Sequence, residues 1–134
     1  MRIQDCLVTA LLVAGASAAQ HDIAVGRGGL RFDPSVTTAA TGDTVVFHFY
    51  PRNHSVARSS FESPCNHIEN GFYSGFIPSS NGEAPDTFVI TVSDSNPIWL
   101  YCPQFGHCQG GQVGVINPPC VFPFRPPPCA ERER

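Results

Sequence analysis

The stretch DTVVFHFY, residues 43–50, alternates with a period of two. Val45, Phe47 and Phe49 fall on one face, with Thr44, Val46, His48 and Tyr50 on the other. That is the pattern of a strand packed on a core along one side. Further strands are expected on either side of it, at HDIAVG (21–26), a short element at 30–32, HSVARSS (54–60), DTFVITVSD (86–94), PIWLYC (97–102) and GQVGVIN (111–117). They are rich in β-branched or aromatic residues, and Gly, Pro, Asn and Asp mark the turns between them. No segment carries a long apolar stripe at helical spacing. The pattern predicts an all-β domain, a Greek-key β-sandwich of about seven to eight short strands, with Trp99 and the phenylalanines in its core.

The N-terminus, MRIQDCLVTALLVAGASAAQ, has a positive start at Arg2, an apolar run over residues 6–14 and the small-x-small site Ala16-Ser17-Ala18. It reads as a secretory signal peptide over residues 1–19, cut after Ala18 or Ala19, and its apolar run is too short to span a bilayer. The closing AERER is not the hydrophobic tail of a lipid-anchor signal. Roughly 115 residues remain, enough for one core. A domain is expected over 20–117, followed by a Pro-rich tail over 118–134. Net charge is −3, only 14% of residues are charged and every basic side chain is Arg. A nucleic-acid ligand would require a basic face, so that class is excluded.

Without the leader's Cys6, five cysteines remain: Cys65, Cys102, Cys108, Cys120 and Cys129. Five is odd, and thiols pair in an oxidising compartment. The extra one is an unpaired surface thiol, an intermolecular bridge or a metal ligand. Cys120 and Cys129 bracket the Pro-rich segment, and a local bridge between them is the simplest pairing. Residues 61–85 form a long connection rich in Gly, Ser, Pro and Asn, of the kind that is functional or pinned. Cys65 lies within it.

The chemistry concentrates in YCPQFGHCQGGQ, residues 101–112. Four residues separate Cys102 from His107, and four more separate His107 from Gln112. His54 is expected at the start of a strand, just after the segment that opens this section. A thiolate and two imidazoles in a trigonal plane, with a weak axial donor, favour copper in an electron-transfer site. Half of a zinc site is the competing reading, but no C-x2-C pair accompanies it. A Cys/His nucleophile has no oxyanion feature beside it. His21 is a remote candidate for an N-terminal copper brace; it, His48 and His67 are read as structural. Asn53-His54-Ser55 is a glycosylation sequon beside a candidate ligand.

Together these motifs resemble the cupredoxins, and within them the phytocyanins and the extracellular cupredoxin-like proteins of fungi. The resemblance covers residues 22–117. It is carried by G-D-T-V-V-F-x-F leading to H-S-V, by S-P-C, by G-F-x-S-G-F-x-P, and by P-I-W-x-Y-C-x4-H-C-x2-G-Q-V. It implies His54, Cys102 and His107 as equatorial ligands of one type 1 copper. Gln112 stands at the axial position, as in the stellacyanin branch. It also implies a Cys65–Cys108 disulfide, which with Cys120–Cys129 leaves Cys102 for the metal. The expectation is a secreted, monomeric one-electron carrier with no catalytic residues, serving a redox partner or an extracellular matrix component. The alternative keeps the fold as an extracellular or cell-wall binding module without redox turnover.

Overall fold

The computed structural model describes residues 17–120 together with Leu12 and Gly15. Ten strands run through them: β1 (Gln20–Val25), β2 (Phe32–Asp33), β3 (Val36–Thr37), β4 (Thr44–Phe49), β5 (Arg52–His54), β6 (Ala57–Ser59), β7 (Ile77–Ser79), β8 (Thr87–Thr91), β9 (Ile98–Tyr101) and β10 (Val113–Ile116). One sheet has the order β2-β1-β4-β8, a second has β3-β10-β9-β6, and β5 pairs with β7 in a two-stranded ribbon. β1 lies parallel to β4 and β3 parallel to β10, and the other pairs are antiparallel. Most of the signal-peptide segment (residues 1–11, 13, 14 and 16), the tail beyond residue 120 and Cys129 lie outside the described residues. Among the described residues, no helix is long and apolar enough to cross a membrane.

The alternation in β4 does what its sequence implies. Val45, Phe47 and Phe49 are fully buried and join Ile23 and Val25 of β1. From the second sheet, Ile98, Leu100 and Ile116 close over the same cluster. The core is thus the space between two sheets, each giving every second residue to it, as in a β-sandwich. A single buried phenylalanine here contributes enough that Phe47→Ala would cost about 3–5 kcal/mol.

Several expectations change in detail. The HSVARSS segment is two strands, not one: His54 ends β5, and β6 begins only at Ala57. Chain direction changes between them because β5 joins the ribbon while β6 joins the second sheet. The 61–85 connection is not wholly irregular, since β7 inside it pairs with β5 through Asn53↔Pro78 and His54↔Ile77. Trp99 is not a core residue; the register of β9 turns it outward against Phe61. His48 bonds Asp22 and Glu83, a polar bridge on the outer face of the first sheet. Asp22 raises the pKa of His48 most strongly; burial opposes this and Glu83 reinforces it.

His21 also has a partner. Asp43 accepts from the Ala19 and Ala40 amides, each at 2.9 Å, and lies 2.8 Å from His21 Nε2. These contacts, His21 first, hold the Asp43 carboxyl at about 2. An unfolded aspartate titrates near 3.9, so the folded chain binds this proton less tightly than the unfolded one. Asp43 therefore stabilises the fold above pH ~4, and that stabilisation is lost as pH falls from about 4 to about 2. The expected result is that Asp43→Asn flattens the acid limb of a Tm-against-pH profile. An unchanged slope between those values would refute the assignment.

Candidate metal centre

Four residues converge at one end of the sandwich. β5 delivers His54, the end of β9 delivers Cys102, and the turns between β9 and β10 carry His107 and Gln112. Those turns are tight. His107 N–H donates to Gln104 O at 2.9 Å, Gln112 N–H to His107 O at 3.0 Å, and Cys102 N–H to Gln112 O at 3.2 Å. The last bond closes the loop on itself, so Cys102 and Gln112 are held together by backbone. Ligand atoms of His54, Cys102 and His107 all lie within 4.8 Å of one another. Cys102 and Gln112 are fully buried, His54 is 2% exposed, and His107 is half-buried. The structure thus brings together all four residues that the sequence nominates.

The surroundings suit these donors for a soft or borderline cation. His54 Nε2 lies 3.2 Å from the Pro51 carbonyl. With the ring proton committed there, Nδ1 carries a lone pair, and it faces Gln112 Oε1 at 3.1 Å. Two acceptors so placed are satisfied by a cation between them. The Gln112 amide is oriented from behind, because its Nε2 donates to Arg31 O at 3.4 Å and leaves Oε1 toward His54. Cys102 Sγ lies 3.5 Å from His107 Nδ1 and accepts from the Ser55 amide at 3.5 Å. Burial, then the neighbouring His54 and Arg52, hold the His107 pKa below its usual value, although a hydrogen bond to Gln112 opposes this. A neutral ring keeps its lone pair for a metal. One sulfur, two imidazoles and an amide oxygen fit copper better than hard cations, which favour all-oxygen sites.

Sequence reasoning missed the supporting groups. Gly26 sits at φ +79°, and a Cβ there would lie 2.2 Å from His54 Nε2. The Pro51 and Arg31 carbonyls and the Ser55 amide are backbone, so no side-chain motif announces them. Gly110 likewise admits Leu30, whose Cδ1 would lie 2.6 Å from a Cβ.

The Cys65–Cys108 disulfide is present, with Cα atoms 5.8 Å apart and a sequence separation of 43. It ties the 61–85 connection to the residue after His107. Its removal by Cys65→Ser/Cys108→Ser should cost about 2–5 kcal/mol, read as a loss in denaturant midpoint. Cys102 is the free, buried cysteine of the described residues. Cys120 is disulfide-bonded; its expected partner Cys129 lies outside them. His67 is exposed, and His21 and His48 stand away from the cluster, each against its own carboxylate. Asn53 Nδ2 donates to Gln104 Oε1 at 3.2 Å. A glycan on that nitrogen would stand against the ligand loop.

Two facing sheets and a His/Cys/His cluster at one end define a cupredoxin: the chain is a member of the cupredoxin fold family. A purple cupredoxin from Nitrosopumilus maritimus superposes with a TM-score of 0.55 at 16% identity, over 72% of this chain and 96% of that one. In sequence, the chain is 37% identical over 115 residues to an extracellular serine-rich protein of Arthroderma benhamiae, covering 84% of this chain and 45% of that protein. It is 34% identical over 115 residues to a probable GPI-anchored cupredoxin of the same fungus, covering 84% and 59% respectively. The chain spans about half the length of these curated relatives. No protein-family model matches it.

Proposed function

We propose that the chain is a secreted or cell-surface copper protein that binds one type 1 copper and passes single electrons, without catalytic turnover of its own. The observation that carries this reading is the buried convergence of His54, Cys102, His107 and Gln112 in a cupredoxin fold. Copper in such a site supplies a one-electron Cu(I)/Cu(II) couple. The protein's part is to keep donor positions fixed while charge changes. Backbone bonds hold Cys102 to Gln112, Pro51 holds the His54 ring, and the sandwich braces both. Half-buried His107 is the ligand that reaches the surface, so electrons would enter and leave at its edge. The names of the two fungal relatives support an extracellular setting. The redox partner would be another extracellular protein or a matrix component, met by a monomer.

Metal analysis with a visible absorption spectrum of the purified protein is the direct test. One copper per chain with an intense thiolate-to-copper band supports the reading, and a colourless Cu(II) complex overturns it in favour of a binding module without redox turnover. The stellacyanin-like Gln112 makes a further prediction. An amide oxygen is a harder donor than a thioether and favours Cu(II), so Gln112→Met should raise the reduction potential in voltammetry. Coincident potentials would remove Gln112 from the ligand set.

A further inference from the structure

Asp43 is a carboxylate without a permanent counter-ion. Its side chain is only 9% exposed, and among the described residues its ion-pair partner is His21, which is charged only when protonated. Charges held this far from water are ordinarily paired. Two backbone amides complete its surroundings. Ala40 N–H donates to Oδ2 and Ala19 N–H to Oδ1, so that Oδ1 depends on Ala19 alone. Ala19 is also where the fold takes hold of the chain. Its carbonyl accepts from Thr44 N–H at 3.0 Å, and β1 begins at the next residue. Ser17 and Ala18 before it are exposed.

Two cleavage positions satisfy the small-x-small rule: after Ala18, with Ala16 three residues before the cut, and after Ala19, with Ser17 there. They differ in what they leave behind. A cut after Ala19 takes away the donor to Asp43 Oδ1 and the acceptor of Thr44 N–H. A cut after Ala18 keeps the Ala19 nitrogen in place and turns it from an amide into an amine, protonated below pH about 7.7–8.0. A neutral donor 2.9 Å from the carboxylate then becomes a charged one, and charge-assisted bonds are roughly twice as strong. We propose that the chain is processed between Ala18 and Ala19, and that the new α-ammonium of Ala19 is the counter-ion of Asp43. Water, delivered by a leader peptidase, splits the Ala18–Ala19 peptide bond; the carboxylate stays on Ala18 and the amine on Ala19. The pair fastens the start of β1, the strand that lies parallel to β4 and leads into Gly26 against the His54 ring. An uncut chain has an amide at this place and cannot form it. The inference rests on the secreted reading above.

The sequence contains no lysine, so the α-amino group is the sole primary amine of the chain and amine-specific acetylation reads one site. In protein secreted from a yeast host, the N-terminal peptide identified by mass spectrometry should begin Ala19-Gln20-His21. A start at Gln20 or beyond overturns the proposal and leaves the secreted reading in place, whereas retention of Met1 overturns both. At pH 7 the folded protein should be acetylated about tenfold more slowly than the same chain in guanidinium chloride, the effect of raising an amine pKa by about one unit. Asp43→Asn should remove most of that protection. Equal rates in the folded and unfolded chains overturn the pairing. Asp43 also faces His21 and Ala40, so a second variant leaves it intact. A glycine inserted between Ala18 and Ala19 keeps the Ala19 amide and carries the charge one residue away. Its amine should react as fast as in the unfolded chain, with a lower Tm than the parent protein. Protection that persists in the insertion variant overturns the proposal.

Discussion

Cys102→Ser is expected to abolish the visible charge-transfer band of the copper-loaded protein while leaving the fold in place. The band would arise from the thiolate, and a hydroxyl is a hard, far weaker donor for either oxidation state of copper. The fold should tolerate the change because serine has nearly the same shape and the Ser55 amide, now 3.5 Å from Sγ, can donate to Oγ instead. Burial of a hydroxyl at a fully enclosed position should cost about 1–3 kcal/mol at most. The measurement is absorption after Cu(II) addition, with circular dichroism as the check on folding. A folded variant that keeps the band would show that Cys102 is not the sulfur donor, and the electron-transfer reading would fall with it.

Gly26→Ala should be nearly as damaging, though Gly26 is no ligand. Two costs add at this position. Its φ of +79° is strained for any residue with a side chain, and a Cβ would overlap the His54 ring at 2.2 Å from Nε2. Backbone strain and overpacking together amount to about 2–5 kcal/mol. Relief would come from swinging the imidazole away from Pro51 O, which turns Nδ1 from the other donors. Gly75→Ala separates the two costs: Gly75 has φ +72° and nothing within 4 Å of a Cβ, so it pays strain alone. Gly26→Ala should lose both stability and copper affinity, whereas Gly75→Ala should lose stability only. Equal copper affinity in the two variants would show that the ring tolerates the intrusion.

Much of this was legible because it is written in side chains. The period of two in DTVVFHFY gave β4 and its buried face, and the C-x4-H-x4-Q spacing gave three of the donors in one loop. The two-residue strand β3 and the Pro-containing strand β7 were not legible, since neither carries a pattern long enough to alternate. Trp99 went to the wrong face of β9 because every residue from Ile98 to Tyr101 is apolar, and alternation is silent where both faces are. The parts of the centre that orient His54 and Gln112 are carbonyls of Pro51 and Arg31, and backbone groups are available at every position until the fold selects among them.

The parallel pairing of β3 with β10 also sets a pace. Ala39 and Asn117 are bonded to each other across 78 positions, and no hairpin can bring such partners together early. Domains dominated by pairings of this kind fold in about milliseconds to seconds, because the chain gives up its freedom before the contacts repay it. The centre also depends on a distant pairing. β9 and β10 join Cys102 to Gln112 as a local hairpin, but His54 reaches Gln112 across 58 positions. Competence to take up copper should therefore trail the burial of the core during refolding, so that metal uptake times the last event of folding and not the first.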